Sequence, residues 1–347
     1  MPTIKDVARL AGVTHAVVSR ILNGDKALRV RSETRERVLA AAAELDYIPH
    51  HAAKALRESR AGAIGLAVHD VSNPVYSEVI KGAQEAINRH RSVLMLADAA
   101  ELHRDAATFR RFVASDAIDA LLLLPAGDDS DAAIARAAAA RIPTVLVNER
   151  SADYQSVSAD EHAAGMLAVR HLADLGHREI GLLHLDGSTQ RGADRVDGHV
   201  AGLRELGLEL DDRWVGDGGH EPEAGRRALL RLAEGGPLPS SIVVHSVQAA
   251  VGALIAAREL GIEVPGELSI VGFHDMPYAA YLEPALTVVR MGLREMGAVA
   301  VETAMQLLDG QTVDKQVKVT EPEPRIVARD STTPPRTSSS RDGSPAR

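Results

Sequence analysis

A chain of 347 residues with 45 % hydrophobic content has apolar mass for two or three cores, which excludes a disordered protein. It holds no cysteine, so neither a disulfide framework nor a thiolate metal site can form. The net charge of −9 is unevenly spread: residues 1–60 carry eleven Lys or Arg against seven Asp or Glu, a net of +4, and the remainder carries −13. A basic head on an acidic body puts a phosphate-seeking surface at one end.

The opening Met1-Pro2-Thr3-Ile4-Lys5-Asp6 lacks the apolar core of a secretion signal. No later stretch reaches the ~18 uncharged apolar residues of a membrane span, so the expectation is a cytoplasmic protein with no membrane partner. Thr3 to Asp6 matches a capping box and starts a helix whose Ile4, Val7, Ala8 and Ala11 form one apolar face, ended by Gly12. Thr14 is the N-cap of a second helix carrying Val18, Ile21 and Leu22 toward the first. Two short helices across a Gly-containing turn predict a helix-turn-helix, with the second helix in the major groove of duplex DNA. A third helix, from Glu33 to Leu45, is expected to bury Val38, Leu39, Ala42 and Leu45.

Beyond Gly62, short apolar runs alternate with helical patterns. The runs are 64–68, 93–97, 118–124, 144–147, 180–185, 242–245 and 269–273; among the helical segments are 75–88, 161–175, 195–206 and 247–260. Strand-helix alternation predicts a parallel sheet covered on both faces. The strands are too many for one open sheet, and further runs at 286–290, 317–320 and 325–328 follow the last unit. Two α/β lobes joined by crossing strands are therefore expected, with a ligand cleft at the strands' carboxyl ends. From Ser331 onward the chain is almost entirely Ser, Thr, Pro, Arg, Asp and Gly, which reads as a disordered tail over 331–347.

The runs Thr3-Ile4-Lys5-Asp6-Val7-Ala8-Arg9-Leu10-Ala11-Gly12-Val13, Val18-Ser19-Arg20-Ile21-Leu22-Asn23-Gly24 and Glu33-Thr34-Arg35-Glu36-Arg37-Val38 resemble the lactose-repressor (LacI/GalR) family. The likeness continues through Asp46-Tyr47-Ile48-Pro49, Ser72-Asn73-Pro74, Leu175 to Ile180, Val271-Gly272-Phe273 and Pro284 to Val289. It implies a helix-turn-helix domain at 1–47, a hinge helix and linker at 48–61, and a two-lobed, periplasmic-binding-protein-like effector-binding and dimerisation domain at 62–330. Its N-lobe would span about 62–158 and 291–320, its C-lobe about 159–290 and 321–330. The function implied is a repressor that binds a palindromic double-stranded operator as a homodimer and is switched by a small-molecule effector such as a sugar, phosphosugar or nucleoside. The tail has no leucine heptads, which favours a dimer over a tetramer.

By the same resemblance His15, Ala16 and Arg20 read bases, and Arg20 is suited to a bidentate contact with guanine. Thr3, Ser19, Asn23 and Thr34 are candidate phosphate contacts, and Thr14 is a further candidate DNA-binding residue. In the hinge, Leu56 matches a leucine that wedges between base pairs, flanked by His50, Ala53 and Lys54. Asn73, Tyr76, Asn148, Arg195, His220, Ser246, His274 and Asp275 are the candidate effector contacts. The chain departs from the family by carrying Ser246-Val247 for Asn-Asp, His274 for Asp, and His220 where an aromatic platform often stands. Imidazoles thus replace a hydroxyl-binding carboxylate. His69, His184, His220, His245 and His274 suit ordinary hydrogen bonding, an anionic ligand, a metal or a pH response, although no compact metal spacing is present. No cofactor is expected. A solute receptor without DNA function is the alternative, disfavoured by the basic head; an enzyme is disfavoured because no phosphate loop, nucleophile elbow or metalloprotease motif occurs.

Overall fold

The computed structural model describes residues 2–22, 28–47, 60–127, 129–185 and 189–336. It separates into a small unit up to Gly62 and a large one from Ala63 onward. In the small unit, α1 (Ile4–Ala11), α2 (His15–Leu22) and α3 (Ser32–Glu44) enclose a core of Val7, Ala8, Ala11, Val18, Ile21, Val38, Ala41 and Ala42. The Asp6 carboxylate accepts the Thr3 N–H at 2.9 Å and the Thr3 hydroxyl at 2.7 Å, and these bonds hold its pKa below the ordinary value. Gly12 at φ +65° terminates α1 in the left-handed conformation, and the Arg37 guanidinium donates to the Ala11 carbonyl across the bundle. One core expectation fails: Leu39 is 48 % exposed and Ala41 is buried instead. Val38, Ala41, Ala42 and Leu45 follow one 3.6-residue stripe, and Leu39 lies about 100° off it.

The large unit contains two sheets. In the first, β1 (Ala63–Val68), β2 (Val93–Asp98), β3 (Ala120–Leu123), β4 (Thr144–Val147), β5 (Gln155–Ala159) and β11 (Gln316–Val319) run parallel in the order β11-β5-β4-β3-β1-β2. In the second, β6 (Ile180–His184), β7 (Val215–Asp217), β8 (Ser241–Val244), β9 (Ser269–Phe273), β10 (Thr287–Arg290) and β12 (Arg325–Val327) take the order β12-β10-β9-β8-β6-β7, with β12 alone antiparallel. The central strands are buried on both faces, as helix-covered parallel sheets require. The chain passes from the first sheet to the second after β5, returns after β10, and passes again after β11.

Helices α4 (Pro74–Arg89), α5 (Ala99–Arg104), α6 (Ala106–Val113), α7 (Asp129–Ala139) and α12 (Leu293–Leu308) belong with the first sheet. Helices α8 (Glu161–Asp174), α9 (Gln190–Glu205), α10 (Pro222–Glu234) and α11 (Val247–Glu259) belong with the second. Three helix pairs cross through paired glycines: Gly82 with Gly297, Gly165 with Gly198, and Gly225 with Gly252. A Cβ at any of these six would overlap a backbone carbonyl of the opposite helix, so glycine is what lets the axes approach. The crossing of α8 with α9 sets Glu161 beside Arg195, at the helix ends nearest the cleft. No helix among the described residues is long and apolar enough to cross a membrane.

The tail expectation needs correction over residues 331–336, which are bound to the C-lobe. The Ser331 hydroxyl donates to the Ile270 carbonyl and accepts the Thr287 N–H, the Thr333 carbonyl accepts from His177 and Ser269, and Arg336 pairs with Glu263. Composition misleads here because the small hydroxyl side chains serve as partners for strand-end backbone groups that would otherwise be buried unpaired. Residues 337–347 lie outside the described residues.

Candidate functional site

The head presents Thr14, His15, Ala16 and Arg20 exposed at the start and along one side of α2, with Ser19 half-buried between them. Thr3 is exposed at the start of α1 and Thr34 is half-buried in α3. His15 with Ser19, and Ala16 with Arg20, stand four residues apart, so they share a helix face. The Val18 and Ile21 side chains on the opposite face anchor that surface to the three-helix core. Asn23, His50, Ala53, Lys54 and Leu56 lie outside the described residues.

In the body, Asn73, Tyr76, Asn148, Arg195, His220, Ser246 and His274 converge on one small cavity of about 30 Å³ between the two lobes. Asn73 caps α4, its Oδ1 accepting the Val75 N–H at 3.0 Å, which directs Tyr76 inward from the first turn. Burial raises the Tyr76 phenol pKa. Asn148 follows β4 at φ +60° and His274 follows β9 at φ +72°, so each lobe brings one non-glycine residue in the left-handed region to the cavity lining. Strain of this kind concentrates where a site must be held in shape. Ser246 caps α11 and donates its hydroxyl to the His220 carbonyl at 3.1 Å.

Arg195 is the centre of the C-lobe wall and is fully buried. Its Nε donates to Glu161 at 2.5 Å, Nη1 to the His245 carbonyl at 2.7 Å and Nη2 to His274 Nε2 at 2.9 Å, and its guanidinium carbon lies 4.8 Å from the Phe273 ring centre. Arg191, one turn earlier on α9, donates to the Pro125 and Asn148 carbonyls and lies 3.6 Å from Glu149. Burial pushes the Glu149 carboxyl up despite the pull of Arg191. Burial and then the Arg195 charge press His245 and His274 well below the ordinary imidazole range.

Asp275 is not brought to the cavity. Its carboxylate is buried between Arg290 of β10 and Arg329, just past β12, which satisfy its charge. His69 is also engaged elsewhere, bonded to Asp131 at 2.6 Å, and His184 Nδ1 bonds the Leu185 carbonyl. Arg191, Gln248 and Glu161 were not anticipated. The four-residue spacing of Arg191 and Arg195 on one helix face was a usable signal for the first. Glu161 had none, because its partner lies across a helix crossing. Among the described residues no cluster of three potential metal ligands is present.

A three-helix reader and a two-lobed body enclosing a polar cavity, carried on one chain, define a DNA-binding transcription regulator switched by an effector. The profile of "Bacterial regulatory proteins, lacI family" matches residues 3–50, and that of a "Periplasmic binding protein-like domain" matches residues 169–332. The repressor CytR of Escherichia coli (strain K12) is 31 % identical over 314 residues, covering 90 % of this chain and 91 % of that one. The ribose operon repressor of Haemophilus influenzae is 30 % identical, covering 93 % and 96 %. Among solved structures, a LacI family regulator from Mycobacterium smegmatis superposes with TM-score 0.72 at 33 % identity, covering 79 % of this chain and all of that one. The lac repressor dimer bound to operator and the anti-inducer ONPF superposes with TM-score 0.76 at 26 % identity, covering 96 % and 99 %. The chain belongs to the LacI family of bacterial transcription regulators.

Proposed function

We propose that this chain is a cytoplasmic, non-catalytic repressor that binds a palindromic operator as a homodimer, and that a small molecule held between its lobes sets its operator affinity. The observation that carries the effector half of this reading is the convergence of ten polar side chains from both lobes on one cavity. The exposed face of α2 supports the DNA half, with Arg20 reading a guanine, His15 and Ala16 beside it, and Thr3, Thr14, Ser19 and Thr34 steadying the backbone. Asn23 and the hinge positions His50, Ala53, Lys54 and Leu56 complete the proposed contacts. Domain limits at 47, 61 and 330 are proposed with it, the last moved outward to 336 by the bonded strap.

Two apolar surfaces support self-association. The edge strand β2 leaves Val93 56 % and Leu96 49 % exposed. On the C-lobe, Val251, Leu254, Ile255 and Leu282 line a hollow of about 540 Å³ beside Tyr281, which is 87 % exposed. The lac repressor similarity, a dimer on its operator, points the same way.

The effector acts by linkage: coupling of ~1 to 3 kcal/mol moves operator affinity ~5 to 150-fold. The test is gel retardation of wild type and Arg20→Ala with the operator and with random duplex of equal length. Loss of a bidentate guanine contact costs about 1–3 kcal/mol on the operator and much less on random DNA. Equal loss on both would remove Arg20 as the base reader.

A further inference from the structure

The cavity wall has more hydrogen-bond donors than acceptors. Because Arg195 Nη2 donates to His274 Nε2, that nitrogen carries no proton, and the neutral ring keeps its proton on Nδ1. His274 Nδ1 is buried and has no partner. Both ring nitrogens of His245 are likewise buried without partners, so either tautomer leaves a donor unmet. Arg195 commits three of its five N–H groups, leaving two.

Acceptors are few. The Oδ1 of Asn73 accepts from Val75, and the Ser246 hydroxyl gives its proton to the His220 carbonyl; the Asn148 Oδ1 is a buried acceptor with no partner, as are Glu149 Oε2 and Glu161 Oε1 on carboxylates that do not line the cavity. No Asp or Glu is among the residues lining the cavity, since Glu161 and Glu149 stand behind it beside their arginines. A hydroxylated neutral ligand donates as often as it accepts and wants carboxylates on the wall. An oxyanion only accepts, and a wall of arginine and imidazole donors matches it.

We propose that the effector of this cleft carries an oxyanion, a carboxylate or a phosphate, received by Arg195, His245 and His274 of the C-lobe. The inference rests on the reading that the cleft is the effector site. A volume of about 30 Å³ holds about one water, so entry of such a group parts the lobes.

The same geometry links binding to protons. His245 is faced by Arg195 and His199 from α9, by His184 from β6 and by the Phe273 ring from β9. His274 is faced by Arg195 and Arg191 from α9 and by His220. Glu161 of α8 reaches this group through Arg195. Burial, and then the Arg195 charge, disfavours the protonated form of each ring, and the one nearby carboxylate, Glu161, is engaged by Arg195, so both rings are uncharged in the free protein. An arriving anion reverses the local field and lifts their proton affinity. Binding then takes up protons and tightens as pH falls.

The test is calorimetric titration of the full chain with matched pairs at pH 8 and pH 6: ribose 5-phosphate against ribose, and gluconate against glucose, with inorganic phosphate alongside. The anionic member of at least one pair is expected to bind about tenfold or more tighter than its neutral partner, and to gain up to about tenfold per pH unit for each proton taken up. The phosphate and carboxylate pairs separate the two sources of the oxyanion. His274→Asp is expected to lose that preference. If it fails to fold by circular dichroism, His245→Gln is expected to flatten the pH dependence. Neutral members binding as tightly, or affinity independent of pH, would overturn the inference. A neutral compound that binds and shifts operator retardation would overturn it and leave the effector reading standing. If neither class binds nor moves operator affinity, both fall together.

Discussion

Across the cleft, Asn73, Tyr76 and Asn148 meet Arg195, His220, His245 and His274: amides and a phenol from the N-lobe, a guanidinium and imidazoles from the C-lobe. The first wall draws its polar atoms from a helix cap and a strand end whose bonds are mostly local. The second draws them from strand ends and from Arg195, which a buried ion pair with Glu161 holds in place; both lobes have a glycine helix crossing behind the wall. Ionic character is thus concentrated on the side that holds its arginine by a buried ion pair. A change on the C-lobe wall is expected to alter both stability and ligand class, whereas one on the N-lobe wall alters mainly grip.

The comparison breaks most visibly at Glu161. Glu161→Ala strands the Arg195 charge in the interior and is expected to cost about 3–5 kcal/mol, read as a lowered urea midpoint. A cost no greater than that of Asn148→Ala would show the walls to be equally supported. Next comes pH. Burial holds the His199 pKa at about 4, below its unfolded value near 6.5, so its neutral form supplies stability above pH 6.5 that is lost as pH falls through that value toward 4. The loss attributable to this ring is about 3 kcal/mol, and His199→Leu is expected to flatten the pH dependence of urea unfolding over that range. Smallest is Asn148→Gly, where relief of the left-handed backbone and removal of a buried unpartnered carbonyl are offset by lost side-chain packing and the greater unfolded-state freedom of glycine. A shift within about 1 kcal/mol is expected by thermal unfolding, and a larger loss would give the N-lobe wall a structural weight that the present contacts do not.

Much of the body could be read from one sequence because helix-covered parallel strands are continuous apolar runs, as Ala120 to Leu123 and Ile242 to Val244 are. Strand β5 escaped: Gln155-Ser156-Val157-Ser158-Ala159 has one large apolar residue, and it is extended because β4 and β11 pair with both its edges. The edge strand β7 is three residues long, below what periodicity resolves. Seven cleft residues were legible because strand ends and helix caps carry them to a common level. Asp275 was misplaced because adjacent residues after a strand diverge, and two arginines far along the chain claimed it. Glu161 and the bonding of 331–336 depend on partners that no local pattern names.

The three passages of the backbone between the sheets, after β5, β10 and β11, have a mechanical consequence. Three crossings constrain the relative motion of the halves more than a single tether would. An occupant of the cleft therefore has fewer independent movements of the halves to select among.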